Sequence, residues 1–255
     1  MRFQSKHLVV TGGGSGIGQA IALRFATEGA HVTLLGRRIS ALNESLELIR
    51  STGGQAHALS CDIQDQAQVV QAFDSLADAH GPIDYIVANA GIGGANEPGP
   101  QDRFDSIIQT NVSGTYYTLR AAQRHLRADS DCRMVLVSSC LARFGVPGYT
   151  AYCASKAALL GLTRALSLEL APNTLVNAIC PGWVDTQMAR DGIQGMAQAM
   201  GISYDAAYAQ AMSLVPIGRM SKPQEIAGMV AWLCSADAQG MTGQALDMNG
   251  GSWMG

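Results

Sequence analysis

The chain is short of charge and of aromatic side chains, and it has no long apolar run. Of its 255 residues, 15% are charged and 6% aromatic. The 17 basic and 20 acidic residues leave a net charge of −3. That balance gives no electrostatic footprint for nucleic acid or for an anionic membrane, so neither partner is expected. No apolar stretch approaches the ~20 residues needed to span a bilayer. The first residues enter a glycine turn too soon for a signal peptide, and a cytoplasmic protein is expected. The six cysteines, at 61, 132, 140, 153, 180 and 234, lack C-x-x-C or zinc-type spacing. They read as reduced thiols packed as small apolar groups, with Cys140 and Cys153 flanking the stretch that carries the chemistry. No metal site is expected.

What the chain does have is apolar bulk, 47% of its residues, enough for one large core and a single domain over 1–255. Short apolar runs alternate with helical periodicity along its whole length. Strands are predicted at His7–Thr11, His31–Leu35, Gln55–Ser60, Ile83–Ala88, Arg133–Ser139, Asn173–Cys180 and Gln244–Met248. Helical stripes between them run through Ile17, Ile21 and Phe25, then Leu42, Leu46 and Ile49, then Val69, Val70, Phe73 and Leu76. A long helix over Arg103–His125 is interrupted at Asn111–Gly114, since Asn and Gly suit a helix interior poorly. This alternation predicts an α/β fold, a doubly wound parallel sheet of about seven strands with helices on both faces. Residues 187–214, rich in Met, Ala, Gln and Gly without a continuous core stripe, read as a substrate lid.

Two local patterns carry chemistry. Gly12 to Gly18 lies between the first strand and the first helix, where glycines let a pyrophosphate approach the backbone and a helix N-terminus offers free N–H groups. The spacing G-x-G-x-x-G cannot be fitted there, whereas T-G-x-x-x-G-x-G fits through Thr11, Gly12, Gly16 and Gly18. The second pattern is Ser139 at a strand's carboxyl end, followed by Tyr152 and Lys156. Those two are four apart, so on a helix they share a face, and an ammonium beside a phenol favours the phenolate.

Together these patterns resemble the short-chain dehydrogenase/reductase family, along nearly the whole chain. The resemblance implies a Rossmann-type fold and hydride transfer between a nicotinamide and a carbonyl or secondary alcohol. Ser139 would then hydrogen-bond the carbonyl oxygen and Tyr152 would act as general acid or base. Lys156 would hold the nicotinamide ribose and lower the Tyr152 pKa, while Asn111 would position a relay water. For the cofactor the resemblance implies Gly12, Ser15, Gly16, Ile17 and Gly18 at the pyrophosphate and Asp62 and Ile63 at the adenine. It also implies Asn89, Ala90 and Gly91 after the fourth strand, and Pro181, Gly182, Val184 and Thr186 over the nicotinamide. The family's usual Asn-Asn-Ala-Gly is here Ala88-Asn89-Ala90-Gly91, which is expected to alter sheet-to-loop bonding more than cofactor contact.

At the end of the second strand stand Arg37 and Arg38 rather than an acidic residue. Two guanidiniums, with no opposing carboxylate, favour NADP(H), while NAD(H) remains possible. An apolar pocket wall of Leu141, Phe144, Val146, Trp183 and Met188 favours a medium-sized ketone or a 3-ketoacyl group. Arg143 and Tyr149 are candidates to anchor a carboxylate or a carrier phosphate. The family implies a homotetramer, with the Asn111 and Tyr152 helices on one interface and the last strand on another. The alternatives are an NAD-dependent alcohol or hydroxyacid dehydrogenase of the same family, a non-catalytic nicotinamide-binding regulator, and a sugar-nucleotide dehydratase or epimerase. The last needs a larger C-terminal substrate domain than residues 187–214 supply.

Overall fold

A computed structural model describes residues 1–128 and 131–255. Its seven strands are β1 (His7–Thr11), β2 (His31–Gly36), β3 (Gln55–Ser60), β4 (Tyr85–Ala88), β5 (Cys132–Val137), β6 (Thr174–Pro181) and β7 (Ala245–Met248). The helices, in chain order, are α1 (Gly16–Thr27), α2 (Ile39–Ser51), α3 (Gln66–His80), α4 (Phe104–Ile108), α5 (Thr115–Gln123) and α6 (Thr150–Leu170). They continue with α7 (Gln187–Met200), α8 (Tyr204–Ser213) and α9 (Pro223–Leu233). All strand pairs are parallel, in the order β3-β2-β1-β4-β5-β6-β7. Among the described residues no helix is long and apolar enough to cross a membrane.

Parallel strands need helical crossovers, and helices on both faces bury the strands completely. That explains why β1, β4 and β5 are buried at every position and read as unbroken apolar runs. One face packs Leu8, Val10, Val32 and Leu34 against Ile21, Phe25, Leu42 and Ile49 of α1 and α2 and Ile226 and Val230 of α9. The other packs Val9, Leu35 and Ile86 against Val69 and Phe73 of α3, Leu119 of α5 and Leu159 of α6. Because β2 and β4 flank β1, the connections run to opposite sides there and open a crevice at the carboxyl ends.

The predicted long helix is broken where expected: a π-helical turn, Gln109–Gly114, joins α4 to α5. Residues 187–214 depart from expectation, because they do have a core stripe. Ala189, Ile193 and Ala197 of α7 pack against Ala207, Ala211 and Met212 of α8. The small alanines conceal this stripe from a reading that looks for large side chains.

At the amino edge of the sheet, Asp84 is fully buried. It accepts hydrogen bonds from Arg127 Nε and Nη2 at 2.9 and 3.0 Å, His7 N at 2.9 Å and Lys6 Nζ at 3.0 Å. Burial alone would raise its pKa; the Arg127, His7 and Lys6 donors outweigh that and hold it below the ordinary value. A lowered carboxyl pKa stabilises the fold above the unfolded value of ~3.9, and the contribution is lost as pH falls through the folded pKa. Asp84→Asn is therefore expected to cost about 3 kcal/mol at pH 7, the low end for breaking a buried pair, because Arg127 and Lys6 can partly hydrate. Urea unfolding at one protein concentration measures it. The gap from wild type should shrink at acid pH, and equal stability at pH 7 would refute the assignment.

Candidate active site

The first wall of the crevice is the turn after β1. Gly12 and Gly16 have φ of +67° and +54°, a region that disfavours side chains. A Cβ at Gly18 would sit 2.3 Å from the Gly12 carbonyl oxygen, so hydrogen alone fits there. Ser15 precedes α1 in extended conformation without a side-chain cap, and the first turn holds no acidic residue. The helix thus presents uncapped N–H groups and its positive end to the crevice, as a pyrophosphate requires. Ile17 packs partly against the core. Thr11 Oγ1 accepts from Asn89 N (3.1 Å) and Ala90 N (3.0 Å), and Asn89 Nδ2 donates to Thr11 O at 2.9 Å. The Asn89 amide nitrogen therefore bridges β4 to β1.

Arg37 and Arg38 are exposed beyond β2. Contrary to expectation a carboxylate does face them: Arg37 Nη1 lies 4.0 Å from Asp62 Oδ2. The parallel β2–β3 register, with Gly36 opposite Ser60, brings these two residues together. Ile63, expected at the adenine, is buried and lies 2.8 Å from the Cβ position of Gly114. Its side chain is committed to the core.

Ser139, Tyr152, Lys156 and Asn111 converge at the carboxyl end of β5. Ser139 follows β5 and accepts from Leu141 N at 3.2 Å, capping a short turn at Cys140–Ala142. Ser138 Oγ donates to Lys156 O at 2.8 Å, which pins α6 to the strand. Lys156 is buried, donates from Nζ to Val137 O at 2.9 Å, and lies 5.7 Å from the Tyr152 ring centroid. Asn111, fully buried in the π turn, accepts from Ile92 N at 2.9 Å and donates to Ile92 O (2.9 Å) and Ser155 Oγ (3.0 Å). Ser155 Oγ in turn donates to Tyr152 O at 2.8 Å. A Cβ on Gly91 would lie 3.0 Å from Asn111 Oδ1 and 3.4 Å from Lys156 Nζ, so this glycine is wedged between them.

The electrostatics correct one expectation. Burial pushes the Tyr152 phenol up to about 12, although the neighbouring Ser139 hydroxyl works the other way. Burial likewise pushes the Lys156 ammonium down to about 8. Desolvation dominates both shifts, and the Lys156 ammonium is hydrogen-bonded to a carbonyl on β5. The Cys140 thiol is buried and pushed up by burial, which disfavours the thiolate that reactivity needs.

Around this cluster Leu141, Phe144, Val146, Tyr149 and Trp183 are half-buried and Met188 is 48% exposed. Met188 Sδ and Tyr152 Cε2 lie 3.0 and 3.6 Å from the Cβ position of Gly93, so α7 closes against the loop after β4 beside the phenol. Trp183 approaches the Cβ position of Gly192 to 3.5 Å and packs on α7. Thr186 caps α7, accepting from Ala189 N, and its methyl lies 3.0 Å from the Cβ position of Gly16. Val184 turns into the core, while Pro181 and Gly182 are held beside β7, with Gly182 N donating to Met248 O at 3.0 Å. Arg143 is not available as an anion anchor. It binds Asp247 (Nη2–Oδ2 3.1 Å) and Ala245 O (2.8 Å) and lies 5.2 Å from the Trp253 ring centroid. One residue escaped the sequence reading. Asn96 accepts from Ala151 N at 2.9 Å, donates its own N–H to Gly148 O at 2.8 Å and its Nδ2 to Asp102, and so caps the helix carrying Tyr152. An asparagine in a Gly- and Pro-rich loop was the only local signal.

Comparison with known proteins agrees with this geometry. A family model described as enoyl-(acyl carrier protein) reductase matches residues 12–252. A protein of Streptomyces virginiae, named as a ketoacyl reductase of the monensin polyketide synthase, is 36% identical over 97% of each chain. Among solved structures, a variant of the actinorhodin polyketide ketoreductase with NADPH has a TM-score of 0.91 at 32% identity, covering 97% of each chain. An NAD+-bound xylitol dehydrogenase has a TM-score of 0.92 at 34% identity, covering 98% of this chain and 100% of that one. A Serratia marcescens short-chain dehydrogenase/reductase variant has a TM-score of 0.87 at 32% identity, covering 99% of each. With Ser, Tyr and Lys gathered beside a glycine turn on the same fold, the chain belongs to the short-chain dehydrogenase/reductase family and is an oxidoreductase of that family.

Proposed function

We propose that the chain is an NADP(H)-dependent ketoreductase that interconverts a ketone or 3-ketoacyl group and a secondary alcohol. The observation that carries this reading is the juxtaposition of Tyr152, Ser139 and Lys156 with the uncapped α1 N-terminus on one rim of the sheet. The nicotinamide cofactor, when bound, supplies or accepts the hydride. Tyr152, held at a pKa of about 12, keeps its proton through neutral pH and serves as the general acid in reduction. Ser139 donates to the carbonyl oxygen. Lys156, charged below about pH 8, binds the ribose hydroxyls. The Asn111 side chain is already committed to Ile92 and Ser155, so its role in a water relay falls to its backbone carbonyl in the π turn.

Arg37 and Arg38 are assigned to the 2′-phosphate. The 4.0 Å contact with Asp62 involves half-exposed side chains, and such a pair is weak enough to yield to a phosphate dianion. The same carboxylate favours the second reading, NAD(H) use, because it offsets part of the charge on Arg37. With Arg143 engaged elsewhere, the pocket rests on apolar groups. Burying apolar ligand surface contributes roughly 25 cal/mol per Å², whereas polyols would require polar partners to offset desolvation.

A homotetramer is proposed on the outer faces of α4, α5 and α6. Phe104, Tyr116 and Leu168 there are 40, 39 and 85% exposed, and large apolar groups so placed suit a subunit interface. The second interface is assigned to β7, an edge of the sheet.

Tyr152→Phe should lower kcat at least about 100-fold while leaving the cofactor Kd nearly unchanged, since only the proton donor goes. In wild type, kcat/KM for NADPH should fall above about pH 8 as Lys156 loses its proton. A profile flat through high pH would remove Lys156 from this role. Ketones, 3-ketoacyl thioesters and sugars assayed with both cofactors test the substrate class. NADPH and apolar ketones should be preferred, and Arg37→Ala should narrow the cofactor preference about tenfold, one charge-assisted contact. Sugars as the best substrates would overturn the pocket assignment. Light scattering at micromolar concentration should give four subunits, and a monomer would defeat the assembly.

A further inference from the structure

Four of the five histidines in the chain come together at the amino edge of the sheet, opposite the proposed catalytic rim. His7 opens β1, His31 opens β2 directly beside it, His57 lies near the start of β3, and His80 ends α3. Ring centroids are 4.9 Å apart for His31 and His57, 4.9 Å for His31 and His80, and 4.1 Å for His57 and His80. One ring nitrogen from each of these three lies within 4.8 Å of the other two. His7 stands 5.1 Å from the His31 ring but is tied to Thr33 Oγ1 through Nε2 at 2.9 Å, so it braces the group instead of joining it.

Among the described residues, no protein group hydrogen-bonds the ring nitrogens of His31, His57 or His80. Three clustered imidazoles, tilted or edge-on to one another and with free nitrogens, suit a cation that takes nitrogen ligands. Tetrahedral coordination with bonds of ~2.0–2.1 Å places donors roughly 3.4 Å apart, so the rings need a modest closure. His57 is exposed and free to turn, while half-buried His31 and His80 give a fixed base. The carboxyl end of α3, where His80 sits, adds negative partial charge toward a dication.

We propose that His31, His57 and His80 form a binding site for one divalent transition ion of the zinc class, leaving a fourth position open to solvent. The site is structural. It clamps β3, an edge strand whose outer positions are exposed, to β2 and to the end of α3. It lies at the opposite end of the strands from Tyr152 and takes no part in hydride transfer, so it stands whether or not the proposed ketoreductase activity does.

The test uses the full chain without a histidine tag, stripped with chelator and titrated with Zn2+ and Co2+. One equivalent should bind, Co2+ should develop visible bands of tetrahedral coordination, and Tm should rise by about 5 °C at a hundredfold excess over Kd. His57→Gln alters an exposed group and His80→Gln a half-buried one, and each should weaken binding at least about tenfold. His125→Gln, outside the cluster, should bind as wild type. Oxidoreductase turnover at 25 °C should be unchanged by chelator. Absence of binding, wild-type affinity in both cluster variants, or loss of turnover on chelation would each overturn the proposal.

Discussion

The arrangement of the catalytic rim depends on a single buried amide. Asn111 has no solvent exposure, and an amide so placed must find protein partners or forfeit a few kcal/mol for each unmet group. It finds them on two separate elements, the loop after β4 through both backbone groups of Ile92 and α6 through Ser155. Satisfying the amide therefore fixes the distance between that loop and the helix carrying Tyr152 and Lys156. The π turn adds the extra backbone residue in that region of the helix, and π turns recur at functional sites for this reason. Two glycines follow from the same packing. Gly91 must be bare beside Asn111 and Lys156, and Gly114 must be bare above Ile63.

Within that frame two ionisable groups are buried near one another without forming an ion pair. The phenol is pushed up to about 12 and the ammonium down to about 8, both chiefly by desolvation. A well-packed apolar pair would be more stable. What the arrangement gains is chemical. A phenol that keeps its proton at neutral pH is matched to donation, and an ammonium with one carbonyl partner retains two N–H donors for a ligand's hydroxyls. Ser138 and Ser155 carry no chemistry of their own, yet they hold α6 in register, Ser138 by donating to the Lys156 carbonyl and Ser155 by accepting from Asn111 Nδ2.

The parts of this architecture legible in the sequence are those written in local periodicity. Buried parallel strands read as apolar runs, the glycine turn between β1 and α1 declared itself, and Asn111–Gly114 marked the helix break. Contacts set by topology were not legible. Arg143 seemed free to bind an anion because its partner, Asp247, is 104 residues away and reaches it only when β7 joins the sheet edge. Asp62 meets Arg37 only because β2 and β3 are neighbours. Asn96 caps a helix that begins some 55 residues later. The stripe joining α7 to α8 was hidden because its members are mostly alanines.

The histidines follow the same logic, and they show why the two edges of such a sheet evolve different contents. In a parallel sheet each β-α unit returns to the same edge, so side chains at equivalent positions of successive units become neighbours although a full unit of sequence separates them. At the carboxyl edge this gathers the glycine turn, Asn89, Ser139 and Pro181 around one crevice. There the backbone must stay open, with an uncapped α1 and a desolvated lysine, and each of these features costs stability. The amino edge has no cofactor or substrate to accommodate, so polar groups there can be closed on one another. Asp84 does this for β1, β4 and the segment after α5, with every donor it meets already bound. The His31, His57 and His80 rings differ: among the described residues their nitrogens meet no protein partner, and unlike the lone unpaired His7 Nδ1 and Arg133 Nε on the same edge, one nitrogen from each converges within 4.8 Å of the others. That convergence of three open nitrogens, rather than a single unpaired group, is the physical reason to assign the cluster a ligand from solution.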